Sequence, residues 1–337
     1  MSQSQPVRGA VIGYGGAFNM GKGHLNWMKD AGMIPTAACD LDPARVEAAS
    51  ADFEGIRTYT RVEDLLADKE VDLVTIITPH NTHADLAVQV ANAGKNVVCE
   101  KPMCITAEEA TRMIEAAKKN DVVLSIFHNR RHDGDFLTIK ELIDNGTIGG
   151  VFQIQAGGGH YGAPGTWWRS NKKISGGLMY DWGAHFIDWI LNLKTGHKVT
   201  QVTGFLQHLV WTEATNEDHG QIVIRFDDGC AAELTQSSIS SVPMPRWRIL
   251  GTKGGILDDG TTPDAVKLFA RLGDIPVTAT VKHKKTEWNT YYKDLAAHLA
   301  SDAPLNVTGE SARRVIAIIE AAEKSAKSGK SESVPYE

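Results

Sequence analysis

Cysteine is scarce in this chain. Cys39, Cys99, Cys104 and Cys230 are the only four in 337 residues, scattered without the two short-spaced pairs that a zinc site takes. Their number and spacing exclude a disulfide framework, and reduced thiols in a cytoplasmic protein are the expectation. Basic charge is not in excess either. Lys and Arg total 35 against 41 Asp and Glu, a formal net charge of −6, which excludes a general nucleic-acid surface. No uninterrupted apolar run approaches the ~18 residues of a membrane span. Residues 1–8 are polar and lead straight into an apolar strand, without the apolar core of a signal peptide. What the chain does have is a hydrophobic share of 42% beside 23% charged residues, enough to bury a sizeable core. At roughly 100–200 residues per domain, its length suggests two domains.

The pattern changes character near residue 128. Before it, short apolar strands at 9–13, 35–40, 71–77, 96–99 and 122–127 alternate with helical stretches. The helix over 83–93 ends at Gly94, and Thr106 with Glu109 has the spacing of a capping box opening a helix to about Asn120. Buried strands separated by helices predict a doubly wound α/β domain over 1–128 with a parallel sheet. After a helix at 136–145, strands at 151–156, 199–206, 221–226, 230–236, 246–250 and 277–281 tend to alternate apolar and polar residues. That predicts an α+β domain over 129–337 with a large, mostly antiparallel sheet, one face packed and the other free for association. The last helix, about 310–327, carries Val315, Ile318, Ile319 and Ala322 on one stripe and is expected to dock, packing back on the first domain. Residues 328–332 read as a polar tether.

The first strand runs into Gly13-Tyr14-Gly15-Gly16-Ala17-Phe18-Asn19-Met20-Gly21. Glycines at such a turn let the backbone approach a pyrophosphate whose charge meets the next helix N-terminus. A strict G-x-G-x-x-G would need glycine at Phe18; Gly21 takes the third role only with an insertion around Ala17-Phe18-Asn19. The same residues alone would also suit an ordinary glycine-rich turn. Asp40, at the end of the second strand, adds a carboxylate for the ribose hydroxyls and against a 2′-phosphate. Arg45 is expected to point to solvent. Together they predict dinucleotide binding, with NAD as cofactor and NADP as the alternative.

Thr78-Pro79 and Glu100-Lys101-Pro102 each follow a strand at the ligand-binding edge of the sheet. Farther on, Asp181, His185 and Asp188 stand at i, i+4 and i+7, hence on one helix face, flanked by Trp182, Phe186, Ile187 and Trp189. A solvated stripe would also read this way, but a histidine between two carboxylates beside aromatic residues suits a lined pocket. The histidines share no metal-ligand spacing such as H-E-x-x-H, so no metal is expected.

In this order the residues resemble the glucose–fructose oxidoreductase/inositol dehydrogenase/rhizopine-catabolism (Gfo/Idh/MocA) family. The similarity also takes in Arg130-Arg131, Asn145-Gly146-Thr147-Ile148-Gly149, Trp168-Arg169, Phe226-Asp227-Asp228-Gly229 and Gly251-Thr252-Lys253-Gly254. It implies an N-terminal Rossmann domain, a C-terminal α+β domain, and NAD(P)-dependent oxidation or reduction of a sugar, sugar derivative or cyclitol. The implied cofactor set is Gly13, Gly15, Gly16, Met20, Gly21, Asp40, Thr78, Pro79, His83, Glu100 and Lys101. The implied catalytic set is Lys101, Asp181 and His185. His160, Tyr161, Trp168 and Arg169 are expected on substrate loops.

The chemistry fits these residue types. Removing hydride from a secondary alcohol requires its proton to leave too, and a neutral histidine with an ordinary pKa of ~6.5 can take it. Asp181 can bind an adjacent hydroxyl or steady the imidazolium, Asp188 can orient the ring, and Lys101 can stabilise oxyanion character. Two other readings stand beside this one: transient oxidation by tightly bound NAD with net glycoside cleavage or epimerisation, and a non-catalytic nucleotide-binding regulator. The expected partners are a small carbohydrate or cyclitol and further copies of the chain, as a homodimer or homotetramer. Neither nucleic acid nor membrane is expected.

Overall fold

The computed structural model describes residues 5–15 and 19–337. They form two compact units, Met1–Asn129 with Trp288–Arg313, and Arg130–Glu287 with Arg314–Glu337. Gly16, Ala17 and Phe18 of the expected phosphate loop lie outside the described residues.

The first unit alternates β1 (Arg8–Ile12), α1 (Met20–Asp30), β2 (Ile34–Cys39), α2 (Pro43–Asp52), β3 (Arg57–Tyr59), α3 (Val62–Ala67), β4 (Leu73–Ile76), α4 (His83–Asn92), β5 (Asn96–Cys99), α5 (Ala107–Lys119) and β6 (Leu124–Ile126). All six strands run parallel in the order β3-β2-β1-β4-β5-β6. The order reverses between β1 and β4, the switch point where such sheets bind ligands. Every residue of β4 and β6 is buried, as strands covered on both faces require. Local chemistry sets the helix ends. Asp42 caps Ala44 N at 3.0 Å ahead of Pro43 in α2. The Thr106–Glu109 capping box opens α5, whose last turn holds Lys118 and Lys119.

The second unit begins with α6 (Gly134–Asp144), β7 (Val151–Gly159), α7 (Lys172–Ser175) and α8 (Trp182–Leu193). It continues with β8 (Val199–Gln207), β9 (His219–Phe226), β10 (Ala231–Ser237), β11 (Trp247–Gly251), β12 (Gly254–Asp258), β13 (Ala265–Leu272) and β14 (Ile275–Lys282). These eight strands lie in the order β14-β13-β12-β11-β7-β10-β9-β8, antiparallel except for the β7–β10 pair. One face turns Ile154, Ala156, Ile222, Ile224, Leu234, Trp247 and Ile249 inward, all buried. α8 packs there through Phe186 and Trp189, whose rings both lie 5.6 Å from that of Trp247. It runs antiparallel to β10. Gly183 in its first turn sits over Leu234, and Lys194 just past its end bonds Asp228, ahead of the strand, at 2.5 Å.

Two segments depart from the sequence reading. Residues 288–313, assigned above to the second domain, group with the first unit, where α9 (Thr290–Ser301) buries Tyr291 and Tyr292. Their hydroxyls meet Ser125 of β6 at 2.6 Å and Thr75 of β4 at 2.9 Å, so polar anchors on the sheet add to the buried stripe of Tyr291, Tyr292 and Leu295. The last helix, α10 (Gly309–Ser328), was expected to pack on the first domain. From Arg314 onward it belongs to the second unit, where Ala322 O would lie 2.1 Å from a Cβ on Gly204 of β8. The bare glycine admits the helix backbone, and Gly204 N donates to Ser325 Oγ at 3.1 Å. The tether after it is also held, since Glu332 and Val202 exchange both backbone hydrogen bonds at 2.8 Å.

Candidate active site

In the first unit, the glycine turn and the end of β2 meet. Gly13 has φ +92°, donates to Cys39 O at 2.8 Å, and would bring a Cβ to 2.9 Å from Ile77 O, so only glycine fits. Gly21 plays the part of the third glycine despite the longer loop. A Cβ there would lie 2.5 Å from Tyr14 O, so its bareness is what lets α1 close on the turn. Met20 is the first residue of α1. Asp40 accepts from Gly15 N and Asp42 N, each at 3.0 Å, which fixes its carboxylate beside the turn. Arg45 does not point away. Its Cδ occupies the space over Gly15, 2.1 Å from where a Cβ would be, because glycine leaves that surface open to the arginine stem.

The two strand-end motifs are joined by a histidine. His83 is fully buried, with Nδ1 2.9 Å from Pro102 O and Nε2 2.8 Å from Thr78 O. Burial pushes its pKa down, so the ring is neutral and donates one of these bonds at a time. It ties the Thr78-Pro79 turn to the Lys101-Pro102 turn from inside. Glu100 accepts from Lys101 N at 3.0 Å and lies 3.1 Å from His24 Nε2, while His24 Nδ1 reaches the Tyr292 hydroxyl at 2.7 Å. Burial opposes ionisation of Glu100, but the His24 hydrogen bond, the nearby positive charges and the Lys101 N–H outweigh it and hold the carboxyl below its ordinary range. Sequence reasoning missed this support. His24 carries no spacing signal toward Glu100, and Tyr292 comes from a distant segment.

In the second unit, α8 begins at Trp182, so Asp181 is its N-cap residue rather than part of the helical face. His185 is 4% exposed, with its ring centroid 5.7 Å from that of Trp182 and 6.1 Å from that of Trp189. Arg169 NH1 donates to Asp181 Oδ1 at 2.8 Å, bringing two of the expected site residues together. Both oxygens of the buried Asp188 accept from Arg131, at 2.8 and 2.6 Å, so this carboxylate is held by a bidentate arginine. Arg130 and Arg246 lie over the Trp182 ring at 4.5 and 5.7 Å. Of the expected loop residues, His160 exchanges backbone bonds with Ser237 and Ser240 at 3.0 Å. Tyr161 is exposed, with its ring against Trp211, and Trp168 lies under the Arg169 guanidinium. Among the described residues one cluster, His197 with Asp227 and Asp228, has three metal-type ligand atoms close together, but Lys194 already neutralises Asp228.

The profile of the Gfo/Idh/MocA oxidoreductase family, NAD-binding Rossmann fold, matches residues 7–128, and that of the family's C-terminal domain matches 136–257. The chain belongs to the Gfo/Idh/MocA family. Similar proteins include the scyllo-inositol 2-dehydrogenase (NADP(+)) of Bacillus subtilis, 29% identical over 95% of this chain and 94% of that one. The myo-inositol 2-dehydrogenase of Thermotoga maritima is 28% identical over 95% and 96% of the two chains. Among solved structures, an NAD-binding protein from Listeria innocua superposes with a TM-score of 0.86 at 28% identity, covering 98% of this chain and 97% of its own.

As a Gfo/Idh/MocA member the protein is an NAD(P)-dependent oxidoreductase. The first unit suits that cofactor on its own geometry: a bare glycine turn at the N-terminus of α1, with an oriented carboxylate at the end of β2. No helix among the described residues is long and apolar enough to cross a membrane.

Proposed function

We propose that the protein is a cyclitol or sugar dehydrogenase acting on a secondary alcohol or its ketone, with His185 as acid/base and Lys101 and Asp181 assisting. The observation that carries this reading is the enclosed His185 one turn from Asp181, in a chain aligned over 95% of its length with two inositol dehydrogenases. The nicotinamide cofactor, when bound, takes or gives the hydride. The chain's own groups manage the proton and the charge. His185 takes the hydroxyl proton as the carbonyl forms and returns it in reduction. Asp181, ion-paired with Arg169, accepts from a neighbouring hydroxyl and sets the ring's orientation. Lys101 supplies positive charge where the alcohol oxygen becomes anionic. The aromatic walls of His185 limit water around the proton in transit.

The four free, buried thiols support a cytoplasmic setting for this chemistry. A panel of inositols, sugars and sugar acids with NAD and NADP, followed by absorbance of the reduced cofactor, tests the proposal. Reduction with at least one cyclitol or sugar is expected. Reduction with none of them would overturn it.

A further inference from the structure

Gln236 lies near the end of β10 and is 8% exposed. Ala232 and Leu234, two and four residues earlier, are buried on the α8 face, and strand alternation puts Gln236 on that face too. Its Nε2 is enclosed and has no hydrogen-bond partner. Buried amides are nearly always paired, so an unpaired one calls for an explanation. The strand neighbours of Gln236 are both glycines, Gly158 on β7 and Gly220 on β9. The two sides differ. Over Gly220 a Cβ would meet Met179 Cε at 2.4 Å, whereas over Gly158 it would meet nothing within 4 Å. Gly158 lies outside the left-handed region, unlike Gly157 at φ +150°, so its backbone would accept a side chain that the sequence withholds. Because α8 runs antiparallel to β10, this end of the strand is the end at which α8 begins, with Asp181 and His185.

We propose that Gln236 and the gap over Gly158 form a subsite for a neutral hydroxyl of the substrate. A carboxamide both donates and accepts and carries no charge, which matches an alcohol group of a polyol; a carboxylate or phosphate would call for arginine or lysine instead. The subsite rests on the dehydrogenase reading above and adds to it a determinant of which polyol is held.

Two variants test it, with myo-inositol, scyllo-inositol and D-glucose as probes in steady-state kinetics and in thermal unfolding with NAD present. Gln236→Leu removes the amide at similar volume, and Gly158→Val fills the gap from a different strand. Expected are KM values raised about three- to ten-fold, the worth of one hydrogen bond, with kcat nearly unchanged. Unfolding temperature should not fall in Gln236→Leu, since an unpaired buried amide is lost. An active wild type with unchanged KM in both variants would overturn the subsite and leave the dehydrogenase reading standing. A wild type that neither turns over nor is stabilised by any of the three polyols would overturn both.

Discussion

His185 and Asp181 are held in different ways, and the difference predicts different failures. His185 is packed between indoles, so removing it tests both chemistry and packing. His185→Ala is expected to lower turnover by about 10²–10⁴-fold while NAD affinity, measured by fluorescence titration, stays nearly constant. If His185 were only a core residue, the variant would lose thermal stability and keep its turnover. Asp181 is positioned by Arg169, so Arg169→Ala should raise substrate KM more than it lowers kcat. At the nucleotide end, Asp40 in its proposed place beside the ribose would repel a 2′-phosphate, so NAD should be preferred over NADP. Arg45, folded over Gly15, carries positive charge to the same turn and should narrow that preference. Arg45→Ala should therefore weaken NADP binding more than NAD binding, and equal loss for both cofactors would remove Arg45 from the specificity argument.

At the scale of elements, a single carboxylate organises the connection from β8 to β9. Asp218 is 1% exposed, and its Oδ2 accepts from the backbone N–H groups of Leu209, Val210 and Trp211 at 2.6, 2.5 and 3.3 Å. Burial works against its charge, but the three N–H donors outweigh it and hold the carboxyl below its ordinary value. Its folded pKa lies below the unfolded one, so this stabilisation is fully present above the unfolded value and is lost as pH falls through the folded one. Unfolding temperature of the wild type should drop below about pH 4 by more than that of Asp218→Asn. Parallel curves for the two would refute this. The capping box of α5 gives a second check, since Thr106→Ala should cost about 1 kcal/mol in denaturant unfolding. The box, the Gly94 stop and most strands of both sheets are legible in sequence because each signal acts within a few residues. β3, β12 and β13 escape it, being short or rich in charged and half-exposed residues.

At the scale of the whole molecule, the outer face of the eight-stranded sheet is not a solvated polar surface of the usual kind. A ladder crosses four strands, from Arg248 to Gln155 at 2.6 Å, Gln155 to Glu233 at 3.2 Å, and Gln221 to Glu233 at 2.6 Å. Exposed Phe205 and Phe269 lie on the outlying strands of the same sheet. An internally paired face with apolar margins suits a symmetric association, and a dimer or tetramer is expected. Light scattering that returns the monomer mass at micromolar protein would contradict it.

Local chemistry was enough to read the fold class and to place the glycine turn with Asp40 and the two strand-end motifs, whereas Asp181, expected on the helical face of His185, is the N-cap of that helix. Each depends on residues close in the chain, where burial alternation, φ-permissive glycine and capping act directly. What only the tertiary structure decided is how those residues are held. Glu100 meets His24 across 76 residues of chain, His24 meets Tyr292 across 268, and Asp188 meets Arg131 across 57. No periodicity connects such partners; they meet because α9 returns to the first sheet and α8 lies against the second. The same holds for Gln236, whose unpaired Nε2 is invisible until Gly158 and Gly220 are set on either side of it by strand register.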